Sequence, residues 1–174
     1  HNIENILASI QIAELFNIDS AIIKNAILNF NPLAHRMEPI KTRDNITYIN
    51  DSKATNTKST IKAIESSNQK TILILGGYSK GKINYKKDLG LELKNISSII
   101  CYGLEGENIY KQLKDIYDCQ YIKKFKKAIE VSIDLAQINN RVLLSPACSS
   151  YDQFNNFEER GDEFKRIVRE YAIL

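Results

Sequence analysis

The sequence predicts an α/β fold: a Rossmann-like, mostly parallel sheet flanked by helices and preceded by two further helices. Short apolar runs typical of buried parallel strands alternate with amphipathic helical patterns along most of the chain. The length of 174 residues is enough for a core that needs neither disulfides nor a metal. Apolar and charged fractions of 43% and 26% are ordinary for a globular protein and exclude disordered and coiled-coil classes.

Residues 1–33 predict two amphipathic helices. Apolar side chains recur at helical spacing over 3–16 and again over 20–30. Asn31-Pro32 ends the second helix, because the residue before a proline avoids the helical region. Two helices of this size cannot form a core, so we expect residues 1–33 to belong to a larger domain and residues 34–174 to form the next one.

The rest of the chain alternates between strands and helices. Strands are predicted at 46–49, 71–75, 98–102, 119–122 and 141–145, and helices at 57–66, 105–117, 125–137 and 157–171. The run at 71–75 is apolar throughout and stops at Gly76-Gly77, which is typical of a parallel strand buried on both faces.

Three loops rich in small, hydroxyl and charged residues directly follow predicted strands. They are residues 50–56, 76–82 and 145–152. In an open α/β sheet, ligands bind outside the carboxyl ends of the strands. We therefore expect these three loops to converge on one site.

The second loop superficially fits a phosphate-binding P-loop, because Gly76 and Gly81-Lys82 have the required spacing. That motif continues with Ser or Thr and opens a helix, whereas position 83 is Ile and no helix start is predicted at 83–85. A glycine turn that lets the backbone approach a ligand, with Lys80 or Lys82 offered to an anion, explains the segment better.

Composition restricts the partners. A net charge of +3 argues against nucleic acid, and the basic run at 123–127 is typical of a solvated helix face. No apolar run approaches the roughly 18 residues needed to cross a bilayer. Three cysteines without disulfide or metal spacing favour a cytoplasmic protein. No histidine is spaced to activate Cys148, so packing is its expected role.

Several charged residues have ordinary structural explanations. An isolated Asp51 after a strand is a base, a ribose ligand or a helix cap, and a cap is the default. Arg36 is expected in a surface ion pair. The segment 158–160 is typical of a charged helix face.

Taken together, the motifs resemble the Mur ligase family. They are HNxxN at 1–5, HRME at 35–38, NDSKATN at 50–56, LGG with a following lysine at 75–80, and LLSPACSSYDQFNNFEERG at 143–161. They cover the whole chain in the family's order. The last two most resemble members that add D-glutamate to UDP-N-acetylmuramoyl-L-alanine in peptidoglycan precursor synthesis.

The resemblance implies a three-domain ligase that uses ATP to convert a substrate carboxylate into an acyl phosphate, which the amine of D-glutamate then attacks. Residues 1–33 would end the central ATPase domain, and 34–174 would form the C-terminal, amino-acid-binding domain. The P-loop, the Mg²⁺ ligands and the nucleotide-sugar site would lie outside this chain, which alone would be inactive. A cytoplasmic monomer is also implied.

The resemblance assigns roles to individual residues. ATP would contact Asn2 and Asn5 through adenine, Arg36 through phosphate and Asp51 through ribose, with Lys53 near the reacting centre. D-Glutamate would be bound by Thr55, Lys80, Ser150, Tyr151 and Phe157. Two positions depart from the pattern: Ser149 replaces a usual alanine, and Tyr151 replaces phenylalanine or leucine.

Three alternatives stay open at this point. One is the C-terminal domain of another Mur ligase or of a folylpolyglutamate synthase. Another is a non-enzymatic, Rossmann-like module that binds nucleotides without selecting glutamate. The third is a P-loop phosphotransferase, in which Lys82 rather than Lys80 would bind phosphate.

Overall fold

The computed structural model describes residues 2–30, 32–89, 93 and 95–171. Its elements are α1 (Asn2–Leu15), α2 (Ser20–Leu28), β1 (Glu38–Ile40), β2 (Thr47–Asn50), α3 (Thr57–Glu65), β3 (Thr71–Gly76), α4 (Tyr85–Asp88), β4 (Ile96–Tyr102), α5 (Gly103–Leu113), β5 (Cys119–Ile122), α6 (Phe125–Leu135), β6 (Arg141–Leu144) and α7 (Phe157–Tyr171). The α/β fold class is confirmed. The chain forms two compact units, His1–Leu33 and Ala34–Leu174.

The first unit consists of α1 and α2. The Asp19 side chain accepts a hydrogen bond from the Ala21 amide at 2.8 Å and so caps α2. This helix ends at Leu28, two residues before the predicted Phe30. Among the described residues of this unit none is buried, and large apolar side chains such as Leu15 and Phe16 are exposed. That the unit is the end of an ATPase domain stays a prediction.

The second unit is built on a six-stranded sheet in the order β1-β2-β6-β3-β4-β5. All neighbouring strands are parallel except β1, which pairs antiparallel with β2 at the edge. The sequence did not predict β1, because it is only three residues long and contains Pro39. An edge position suits proline, which cannot donate to a ladder.

Helices cover both faces of the sheet. Ile72 and Ile74 of β3 pack with α6 and α7, whereas Leu73 and Leu75 pack with α3, α4 and α5. Because successive side chains point to opposite faces, burial on both sides requires the unbroken apolar run that predicted this strand.

The last strand determines where a ligand can bind. β6 inserts between β2 and β3. The helices that follow β2 and β3 pack on one face, but α7, which follows β6, packs on the other. The loops after β2, β3 and β6 therefore meet at a topological switch point, where open α/β sheets bind ligands.

Arg141 fixes the opposite, amino-terminal edge of the sheet. Its side chain is buried, and its Nε donates to Thr71 Oγ1 at 2.9 Å. The two terminal nitrogens donate to the Ala63 and Ile64 carbonyls in the last turn of α3, at 3.1 and 2.9 Å. A cation there also complements the negative end of the helix.

We expect Arg141→Met to lower the free energy of unfolding by roughly 2–4 kcal/mol, because each buried acceptor left without a donor costs about 1–3 kcal/mol. The midpoint of urea unfolding measures this loss. Arg166→Met is the matched control, because Arg166 forms its ion pairs with Glu163 and Glu170 in solvent and its replacement should leave the midpoint near the wild-type value. Equal midpoints for the two variants would contradict the role of Arg141.

Candidate functional site

The loops after β2, β3 and β6 line one cavity of about 420 Å³. Its walls contain all five side chains expected to bind D-glutamate, namely Thr55, Lys80, Ser150, Tyr151 and Phe157. Lys82 is not among the residues that line it. The structure thus brings together residues separated by about a hundred positions in sequence.

Two of the three loops are joined by a short backbone ladder. The Tyr78 amide donates to the Ser149 carbonyl at 2.9 Å, and the Ser149 amide donates to the Tyr78 carbonyl at 3.1 Å. Ser149 Oγ adds a third bond to the Tyr78 carbonyl at 2.7 Å. An alanine at this position could not form this third bond.

The glycine turn packs closely against neighbouring backbone. Gly76 and Gly77 both have positive φ angles, 133° and 126°. A Cβ on Gly77 would overlap the Ser149 carbonyl oxygen, and one on Gly76 would overlap the Tyr102 carbonyl oxygen. Both glycines are therefore required by a close approach to neighbouring backbone, and an approach of this turn to a ligand stays a prediction.

The segment after this turn is not a P-loop helix. The expectation that no helix opens there was wrong, because α4 begins at Tyr85, where the Asn84 side chain accepts from the Lys87 amide. However, α4 has only four residues and starts three positions after Lys82. In a P-loop the helix follows the lysine directly, so the phosphotransferase alternative loses its structural basis.

Asp51 is buried between two chain segments. Its Oδ1 accepts from the Met37 amide at 3.2 Å, and its Oδ2 accepts from Ser145 Oγ at 2.8 Å. Burial raises its pKa from 3.8 to about 6, although both hydrogen bonds and the charge of Arg36 oppose the shift. The default expectation that Asp51 caps a helix was wrong, because Asn56 caps α3 by accepting from the Ser59 amide.

The two cations predicted to act near ATP are both exposed. Lys53 donates its amide to the His35 carbonyl, and its Nζ lies 5.9 Å from the centre of the Phe157 ring at the cavity wall. Arg36 forms no ion pair within 4 Å with a carboxylate of the described residues, contrary to expectation. It lies between His35 and Met37, whose φ angles of 61° and 48° are left-handed.

Arg160 was assigned to a solvated helix face, and that was wrong. Its side chain is completely buried, with Nε donating to Ser52 Oγ at 2.9 Å and one terminal nitrogen to the Ser52 carbonyl at 2.7 Å. The other terminal nitrogen donates to Tyr102 Oη and to the Cys148 carbonyl, at 3.1 and 3.0 Å.

A sequence signal for this burial existed. Arg160 precedes Phe164, Ile167 and Val168 by four, seven and eight residues, so it lies on the apolar stripe of α7. An arginine on such a stripe requires hydrogen-bond acceptors inside the protein.

Cys148 lines the cavity but is not a nucleophile. Its thiol is buried and lies 3.2 Å from Tyr85 Oη. Burial raises its pKa to about 11, so the reactive thiolate is scarce at neutral pH. The structure supports the packing role that the sequence predicts.

The two remaining residues predicted to bind ATP belong to the first unit. Asn5 is an exposed residue of α1 whose carbonyl accepts from Ser9 Oγ. Asn2 belongs to the same helix, and its side chain lies outside the described residues. Their proposed contacts with adenine stay predictions.

Within the described ranges, no three His, Cys, Asp or Glu side chains are grouped to hold a metal, and no helix is long and apolar enough to cross a membrane.

The family described as "Mur ligase, glutamate ligase domain" matches residues 35–148. The chain belongs to the Mur ligase family. Proteins named UDP-N-acetylmuramoylalanine–D-glutamate ligase are similar to it: 39% identical in Clostridioides difficile and 40% in Elusimicrobium minutum. Each match covers 97% of this chain and 38% of the relative. The chain thus spans about two fifths of these ligases.

Solved Mur ligase structures share the fold. The UDP-N-acetylmuramate–alanine ligase of Thermotoga maritima superposes with a TM-score of 0.73 at 17% identity, over 98% of this chain and 38% of the other. A pseudomurein peptide ligase of Methanothermus fervidus gives 0.72 at 17% identity, over 97% of this chain and 35% of the other. At these identities the likeness supports the architecture alone.

The raised pKa of Asp51 predicts a specific pH dependence. Its folded-state pKa of about 6 exceeds the usual 3.8, so its contribution to stability is fully present below pH 3.8 and is lost as the pH rises through 6. We expect the free energy of unfolding of the wild type, measured relative to that of Asp51→Asn, to fall by on the order of 3 kcal/mol as the pH rises from 4 to 7. Urea unfolding of both proteins at several pH values measures it.

Glu38→Gln is the control, because the stability that Glu38 contributes should depend on pH in the opposite direction. Burial alone would raise the pKa of Glu38, but hydrogen bonds from the His35 amide and Lys165 and the charge of Lys165 lower it overall. The stability contributed by Glu38 should therefore be lost as the pH falls through the carboxylate range. A difference between wild type and Asp51→Asn that does not change with pH would contradict the buried-carboxylate assignment.

Proposed function

We propose that this chain is the C-terminal part of an ATP-dependent ligase that adds D-glutamate to UDP-N-acetylmuramoyl-L-alanine, and that the cavity binds D-glutamate. The observation that carries the proposal is that one cavity, at the switch point of the sheet, is lined by residues from three loops that all resemble the family's motifs. The names of the similar ligases support the choice of amino acid.

The side chains that line the cavity suit an amino acid with two carboxylates. Lys80 supplies a cation, and Thr55 and Ser150 supply hydroxyl donors. Hydrogen bonds in which one partner is charged are about twice as strong as neutral ones. Phe157 offers an apolar surface to the methylene groups. Since Lys80 lines the cavity and Lys82 does not, we assign the carboxylate contact to Lys80.

The remaining residues are proposed to act on the ATP side of the reaction. ATP, when bound, supplies the phosphoryl group that activates the substrate carboxylate. Arg36 is exposed and forms no ion pair within 4 Å among the described residues, which suits a phosphate contact. Lys53, beside Phe157, is placed to stabilise negative charge as the amine attacks. Asp51 has both oxygens engaged, so a ribose contact would use their remaining lone pairs.

Three further features belong to the proposal. The described residues do not fit a Mg²⁺ site, so the metal ligands would come from another part of the ligase. The three free cysteines suit a reducing, cytoplasmic compartment. A monomer is the expected oligomeric state.

Titration of the ¹⁵N-labelled chain with D-glutamate, and with L-glutamate as a control, tests the proposed ligand. We expect D-glutamate to shift the amide signals of the cavity loops around Thr55, Lys80 and Ser150, and L-glutamate to shift them less. Lys80→Ala should abolish the response, because the cation that binds a carboxylate is lost. Lys82→Ala is the matched control and should retain it.

The full-length ligase separates failure of the fragment from failure of the proposal. With ATP and UDP-N-acetylmuramoyl-L-alanine present, it should release phosphate in response to D-glutamate, and the isolated chain should hydrolyse no ATP. A full-length protein that prefers another amino acid would overturn the assignment of D-glutamate.

A further inference from the structure

The helices α5 and α6 begin without a side-chain cap of their own. Their N-cap residues are Tyr102 and Lys124, and neither side chain bonds the first turn. The first turn of a helix has amide groups without partners inside the helix. Both helices obtain a partner from the loop after β6, at the two residues that directly follow Ser150-Tyr151.

Asp152 caps α5, although it lies 48 residues after Leu104 in the sequence. Its Oδ2 accepts from the Leu104 amide at 3.1 Å, and a carboxylate is the preferred group at the positive end of a helix. Its Oδ1 is buried and has no hydrogen-bond partner among the described residues. Gly103 has a φ angle of 74°, and a Cβ there would overlap Asp152 Oδ2, so the backbone is shaped around this carboxylate.

Gln153 caps α6 in a way that only an amide can match. Its Oε1 accepts from the Phe125 amide at 3.1 Å, and its Nε2 donates to the Lys123 carbonyl at 3.1 Å. Glutamate could accept from the amide but would place a second oxygen against the carbonyl.

A tight turn connects these anchors to the cavity. The Ser150 carbonyl accepts from the Gln153 amide at 3.1 Å and from the Phe154 amide at 2.9 Å. Ser150 is buried and lines the cavity, together with Tyr151. The position of Ser150 is therefore fixed by where Asp152 and Gln153 bind the two helices.

We propose that Asp152 and Gln153 are positioning residues for D-glutamate, which hold Ser150 and Tyr151 against the ligand by capping α5 and α6. This inference rests on the proposed function. Neither side chain lines the cavity, so both would act through Ser150 and Tyr151, and their loss should weaken the binding of D-glutamate more than the binding of ATP or the turnover number.

Steady-state kinetics of the full-length ligase test this proposal, with Asp152→Ala, Asp152→Asn, Gln153→Ala and Gln153→Glu. We expect Asp152→Ala and Gln153→Glu to raise KM for D-glutamate roughly five- to tenfold, a change that equals the ~1–1.4 kcal/mol of a lost cap. KM for ATP should stay constant. Asp152→Asn should have a KM for D-glutamate near the wild-type value, because its amide oxygen can still accept from the Leu104 amide. Gln153→Ala provides a milder change if Gln153→Glu does not fold.

Thr71→Val is the matched control. It removes a buried hydrogen bond to Arg141 at the opposite edge of the sheet, so it should lower the unfolding midpoint without raising KM for D-glutamate. If Asp152→Ala and Gln153→Ala or Gln153→Glu lower the midpoint but leave KM at the wild-type value, the two residues are merely structural and the proposal is overturned. A wild-type ligase that does not use D-glutamate would instead refute the proposed function.

Discussion

The site depends on one buried guanidinium. Arg160 carries a charge into the interior and has no carboxylate within 4 Å among the described residues, so its desolvation is offset by hydrogen bonds alone. Its acceptors lie on the loop after β2, at the end of β4 and on the loop after β6. A displacement of any of these segments would leave donors of a buried cation unpaired. Two walls of the cavity, the loops after β2 and β6, are thereby held together by the protein's own hydrogen bonds.

A second buried arginine divides the domain into a structural edge and a functional edge. Arg141 binds the carboxyl end of α3 at the amino-terminal edge of the sheet, while Thr55 and Asn56 precede the same helix at the cavity. The helix is thus anchored at the end that is remote from the cavity. Loops at the other edge can therefore vary without disturbing this anchor.

Local sequence patterns predicted most of this fold and the position of the site. An apolar run ended by Gly76 marks a buried strand wherever it occurs, and polar loops after such strands must meet at one edge of a parallel sheet. The apolar stripe of α7 indicates that Arg160 is buried, but the partners of Arg160 and Asp51 were not predictable in this way, because they lie 108 and 94 residues away. β1 and α4 were missed because three or four residues are too few to show a period.

The ladder between Tyr78 and Ser149 has an evolutionary consequence. Lys80 follows the joined residue Tyr78 by two positions, so the ladder ties the position of the lysine to that of the loop after β6. An insertion of one residue there would move the ammonium group along the chain by about 3.3 Å relative to Ser150. A change in loop length at this point is therefore one way in which evolution could alter the reach of the cation without replacing any side chain that lines the cavity.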